Sequence, residues 1–109
     1  MTERPWIALF PGVWRRRIAL TERMYQMEVR LEAGSHVPVH RHPEDQIAHV
    51  VRGRLRFQVG EDLIEATAGS SVAIPGDVPH AVWALEETLA IDTFSPPRAD
   101  YLAADGDQA

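Results

Sequence analysis

His40-Arg41-His42-Pro43-Glu44-Asp45-Gln46, followed later by Ile74-Pro75-Gly76-Asp77-Val78-Pro79-His80, decides how this chain is read. Residues two apart on a β-strand project to the same face, so the spacing predicts that His40 and His42 offer their imidazoles to a single ion. Pro43 cannot continue a central strand and starts a short turn, after which Gln46 returns an oxygen ligand on the next strand. His80 supplies the fourth position. A lone histidine is more often a half-buried strand residue than a ligand, and His36 and His49 are read that way. For His40, His42, Gln46 and His80 the joint spacing favours a metal site. The glutamine brings no charge, so such a site keeps the full divalent charge of its ion. That makes a stronger Lewis acid and favours an anionic ligand such as a carboxylate. The residues do not choose among Mn, Fe, Ni, Zn and Co.

The rest of the chain reads as short strands separated by turns. Tyr25, Met27, Val29 and Leu31 alternate with Gln26, Glu28 and Arg30, and Leu55, Phe57 and Val59 alternate with Arg54, Arg56 and Gln58. This is the period of strands with one face on a core. Gly60-Glu61-Asp62 reads as a hairpin loop leading into Leu63 to Ala66. Further strands are expected at Ser71 to Ile74, His80 to Leu85 and Thr88 to Phe94, with no amphipathic helix. Short strands at regular spacing imply a β-sandwich or barrel. If Gln46 faces a metal, Ala48 and Val50 share the inner face, while Ile47, His49 and Val51 turn outward. Either a second copy or the segment Trp6 to Phe10 covers Ile47 and Val51.

Composition limits the function classes. A chain of 109 residues, 45% hydrophobic and 25% charged, has room for one core. No apolar run approaches a membrane span, and Glu3, Arg4 and Pro5 break the order expected of a signal peptide, so a cytoplasmic protein with no membrane partner is expected. Without cysteine, metal ligands narrow to nitrogen and oxygen. A net charge of −5 argues against a nucleic-acid partner, whose phosphates call for Lys and Arg. Trp14-Arg15-Arg16-Arg17 is the one basic run, expected as a solvated strand face from which one arginine can still turn inward to an anion. From residue 103 the chain is small and acidic, and 103–109 is expected to fray beyond a domain spanning 1–102.

In Leu89-Ala90-Ile91-Asp92-Thr93-Phe94, alternation puts Ala90, Asp92 and Phe94 on one face. If that face lines the barrel, Asp92 stands in an apolar cavity where its pKa can be tuned for proton transfer. Arg98 then suits a two-pronged clamp on a substrate carboxylate. The alternative is an Asp92 to Arg98 ion pair that fastens the C-terminal segment over the barrel mouth.

The two motifs resemble the cupin signature. Gly34, His40, His42, Gln46 and Gly53 follow its first motif, with glutamine at the usual glutamate. Gly69, Pro75 and His80 follow its second, with Asp77 at a usual glycine and Ala84 at a usual asparagine. The resemblance implies an all-β, single-domain double-stranded β-helix, or jelly-roll barrel. Ile91 to Leu102 is also similar to the tail of the KdgF-type cupins, which linearise unsaturated uronates released from pectin and alginate. This implies a metal held by His40, His42, Gln46 and His80, with Asp92, Phe94 and Arg98 active on a small anionic sugar acid. Small cupins are commonly dimers, which implies a homodimer. A metal-dependent dioxygenase and a non-catalytic metal- or sugar-acid-binding module are the rival readings.

Overall fold

The computed structural model describes residues 4–106. Its elements in chain order are β1 (Ile7–Phe10), β2 (Val13–Leu20), β3 (Tyr25–Leu31), β4 (His36–His40), β5 (Asp45–Arg52), β6 (Arg54–Val59), β7 (Asp62–Thr67), β8 (Ser71–Ile74), β9 (His80–Ala84), β10 (Thr88–Ser95) and α1 (Ala99–Ala104). The period-two pattern of β3 is realised without exception, with Tyr25, Met27, Val29 and Leu31 buried. In β6 the same pattern buries Leu55 and Phe57, and Arg54 and Arg56 face water.

Two antiparallel sheets result, one ordered β1-β2-β3-β10-β5-β8 and the other β4-β9-β6-β7. Their inner faces pack to form the core, with Met27, Val29, Leu31, Val50 and Phe94 from the first sheet and Leu55, Phe57, Ala66 and Ala84 from the second. This is the jelly-roll architecture expected. Gly53 joins β5 to β6 at a φ of 98°, and a Cβ there would run into Glu87 and Thr88. Only glycine fits this turn.

Register places the site. β10 lies between β3 and β5, with Asp92 opposite Met27 and Ala48, and Phe94 opposite Tyr25 and Gln46. Opposed residues share a face, so Asp92, Phe94 and Gln46 all project inward. In the other sheet His40 ends β4 directly opposite His80, which opens β9.

Several expectations change. His42 is not on a strand with His40: β4 stops at His40 and His42 belongs to the turn before β5. A six-residue helix, α1, appears where none was expected. Within the stretch expected to fray, α1 runs through Ala104 and the Asp105 side chain is only 2% exposed, in an ion pair with Arg15. Residues 107–109 lie outside the described residues. Arg15 leaves the basic run to point inward, fully buried, and the anion it meets is that Asp105 carboxylate. Ile47 and Val51 do face outward, but the segment around β1 is no cover for them, since three strands separate β1 from β5 in the sheet.

Candidate functional site

At one end of the barrel, the loop between β8 and β9 packs on the turn between β4 and β5. The Asp77 amide donates to the His42 carbonyl at 2.7 Å, and the Gly76 amide donates to Asp45 Oδ1 at 2.8 Å. A Cβ on Gly76 would strike the Pro43 carbonyl, so glycine is needed for this approach. Asp77 sits at a φ of 66°, the left-handed region that Asp and Asn tolerate better than other side chains. That tolerance lets aspartate stand at the motif's usual glycine.

This packing brings His40, His42 and His80 together, with a nitrogen from each ring lying within 4.8 Å of the others. Each ring is oriented by its own chain. Nδ1 of His40 lies 2.8 Å from the Pro38 carbonyl, Nδ1 of His42 lies 3.0 Å from that of Glu44, and Nδ1 of His80 lies 2.9 Å from that of Val78. A carbonyl only accepts, so each Nδ1 carries the proton and each Nε2 presents a lone pair. Backbone carbonyls behind ligand histidines are the usual orienting partners at metal sites.

The donor set fits a cation on two observations. His80 is 1% exposed, and its Nε2 is buried without a hydrogen-bond partner. His42 Nε2 faces Gln46 Oε1 at 3.1 Å. Gln46 is hydrogen-bonded to Asp92 through its amide group, which leaves Oε1 as an acceptor facing the His42 nitrogen. A shared divalent ion satisfies both, and the nitrogen and oxygen set suits Mn, Fe, Ni, Zn or Co. Burial, reinforced by the neighbouring histidines and Arg98, lowers the pKa of His80 to about 4. Burial also lowers that of His40. Both rings are therefore neutral and ready to ligate at neutral pH.

Beside the histidines lies a cavity of about 290 Å³, walled by His40, Gln46, His80, Asp92, Phe94, Arg98 and Tyr101 together with apolar side chains of both sheets. Asp92 lines this cavity and is half-buried. Burial pushes its carboxyl up to about 7, against the opposing effects of the Arg98 guanidinium and the Gln46 hydrogen bond. The expected choice between catalytic carboxylate and ion-pair fastener is thereby narrowed, for the carboxylate that Arg98 grips is Asp100. Two parallel bonds join them, Nε to Oδ1 at 3.1 Å and Nη2 to Oδ2 at 2.7 Å. Arg98 also lies 5.4 Å over the Phe94 ring and 3.9 Å over the Tyr101 ring.

All seven residues expected from the sequence gather here. Tyr101, Asp100 and Glu44 were missed. Asp100 stands two residues from Arg98, a spacing that could have drawn attention. Glu44, whose Oε1 is 3.5 Å from His42 Nδ1, had no signal beyond adjacency. The two other histidines lie apart, His36 stacked on Trp83 at 5.0 Å and His49 bonded to Ser71 at 2.8 Å.

A cupin-domain family model matches residues 27–92, the span from β3 through Asp92. The chain is a cupin. It is 36% identical over 103 residues to the pectin degradation protein KdgF of Dickeya dadantii, covering 92% of this cupin and 93% of that protein. The solved structure of KdgF from a Halomonas species superposes with a TM-score of 0.85 at 31% identity, covering 90% of this cupin and 91% of that chain. An RmlC-like cupin from Shewanella frigidimarina superposes equally well, with a TM-score of 0.85 at 26% identity over 90% of this cupin and 88% of the other.

Two outcomes follow from this geometry. Purified protein is expected to carry about one divalent ion per chain, and His40→Ala with His42→Ala to carry essentially none, as read by elemental analysis. The second concerns pH. In the metal-free protein the folded-state pKa of Asp92 lies above its ordinary value, so folding favours the neutral acid. Its contribution to stability is present at low pH and lost as pH rises through about 7. The lowered histidines act oppositely, losing stability as pH falls. Subtracting Asp92→Asn from wild type isolates the carboxyl: in urea denaturation of the metal-free proteins, the variant should gain relative stability between pH 4 and 8, by an amount of the order of 1 kcal/mol or more.

Proposed function

We propose that this cupin converts 4,5-unsaturated monouronates, of the kind released by pectin or alginate lyases, into linear keto acids. The observation that carries the reading is Asp92. It is a carboxyl held near pH 7 on a cavity wall shared with a neutral three-histidine, one-glutamine donor set and an arginine. Similarity to KdgF supports the substrate class. A cavity of about 290 Å³ suits one sugar acid rather than an oligomer.

The reaction is an isomerisation and needs no oxidant. Ring opening removes the proton of the anomeric hydroxyl, forms the aldehyde carbonyl and breaks the bond from the anomeric carbon to the ring oxygen. The electron pair passes to that oxygen, giving an enolate, and protonation at C4 yields the ketone. A divalent ion held by His40, His42, Gln46 and His80 would supply Lewis-acid stabilisation of negative oxygen. Asp92, its carboxyl pushed up to about 7 by burial, takes the hydroxyl proton and returns one to carbon. Arg98 anchors an anionic or hydroxyl group at the mouth, and Phe94 shapes the wall and excludes water. Asp92 and Phe94 need no rearrangement to do this, since their register holds them on the inner face.

Loss of the cyclic unsaturated monouronate, followed by NMR of the keto product, tests the assignment. Asp92→Asn is expected to keep the metal and fold but lose roughly 10²-fold in rate. Arg98→Ala is expected chiefly to raise the substrate concentration required. No acceleration by wild type with any of several metals overturns the reading, with oxygen uptake then pointing to a dioxygenase and tight binding without turnover to a binding module.

The same outward strand face supports a homodimer. Ile47 and Val51 are 53% and 41% exposed on β5, and β10 extends the face with Ile91 and Thr93. Sedimentation is expected to give a dimer for wild type and a monomer for Ile47→Glu, with activity in the monomer retained because Ile47 points away from the cavity.

A further inference from the structure

Arg98 and Tyr101 reach the cavity from a segment that belongs to neither sheet. Its helix, α1, has six residues, buries none of them fully and has no side-chain cap at Arg98. So short a helix does not persist on its own. Its anchor is the residue immediately beyond it. The Asp105 carboxylate, 2% exposed, accepts from Arg15 Nη1 at 2.9 Å and from the Tyr25 hydroxyl at 2.6 Å, and Arg17 Nη1 stands 3.9 Å away. Arg15 also donates to the Tyr25 oxygen at 2.9 Å, closing a buried triangle between β2, β3 and the chain's end.

The triangle connects to Arg98 through the Tyr101 ring. The Arg15 guanidinium lies 4.3 Å over Tyr101, and the Arg98 guanidinium lies 3.9 Å over that same ring. Tyr101 further meets the edges of Phe94 at 5.7 Å and tilts against Tyr25 at 6.0 Å. A charge pair with almost no exposure is costly to form and more costly to break one-sidedly, because the survivor stays buried and unpaired. Here it closes a contact across 90 residues of chain.

We propose that Asp105 is a positioning residue: through Arg15 and Tyr101 it holds Arg98 over the cavity, so that the C-terminal segment is a fastened arm of the substrate site. Its part in turnover rests on the reaction proposed above, whereas its hold on the segment does not. The ion pair that fastens this segment joins Asp105 to Arg15, not Asp92 to Arg98.

Hydrogen exchange and kinetics on the metal-loaded protein test this. In Asp105→Ala the amides of Leu102 and Asp105, bonded in wild type to the carbonyls of Arg98 and Tyr101, should exchange at least tenfold faster, while β5 and β10 amides and metal content are unchanged. Should that variant fail to fold, Asp105→Asn, which keeps an acceptor for Tyr25 and Arg15, carries the same comparison. The substrate concentration for half-maximal rate should rise about tenfold with a smaller loss in kcat. In an Arg98→Ala background, Asp105→Ala should add nothing further. Unchanged exchange at Leu102 overturns the hold on the segment. An equal kinetic penalty with and without Arg98 overturns the positioning role. A wild type without turnover overturns the reaction alone, and the exchange result still decides whether Asp105 fastens the arm.

Discussion

The pairing of β10 between β3 and β5 is the constraint on which the cavity depends. Opposing Phe94 to Gln46 and Asp92 to Ala48 puts the acid, the aromatic and the amide on one inner face. A slip of one residue would turn Asp92 and Phe94 to the outside and bring Ile91 and Thr93 inward. The slip is opposed by the burial of Tyr25, Met27, Val29 and Leu31 on the other flank, which requires Phe94 and Ala90 to match them. Hydrophobic patterning on the flanking strand therefore fixes the geometry of the candidate site.

The strands were legible because their periods are strict. β3 and β6 follow from alternation alone, and the turn at Gly60 follows from its residue types. The metal-ligand candidates were legible from spacing, yet the reason given was incomplete. His42 reaches the others from a turn, aimed by the Glu44 carbonyl, and not as a strand neighbour of His40. Arg15 shows the limit of pattern reading. A run of three arginines looks like a solvated face, and nothing local says that the first is paid back by an aspartate 90 positions later. The composition of 103–109 suggested fraying for the same reason, yet the Asp105 side chain finds a buried partner that only the tertiary fold supplies.

Two kinds of buried charge are treated differently in this molecule. Around Asp105, charge is neutralised by opposite charge and by the Tyr25 hydroxyl, which leaves a fixed structural contact. Around the histidines, charge is avoided: burial holds His40 and His80 neutral, and Gln46 contributes an oxygen with no charge. A cation between His42 Nε2 and Gln46 Oε1, 3.1 Å apart, would satisfy both as acceptors.

Asp92 stands between these extremes, and Asp100 explains why. A guanidinium bonded directly to Asp92 would hold that carboxyl ionised well below neutrality, fit to accept a proton but poor at giving one back. Instead Asp100 occupies both prongs of Arg98, so that Asp92 feels the positive charge only at a distance, and burial prevails over it. A group with a pKa near the working pH can both take and return a proton within one turnover. The exposed Asp100 thus leaves Arg98 charged and oriented at the mouth, and leaves the Asp92 carboxyl at about 7, as the proposed proton transfer requires.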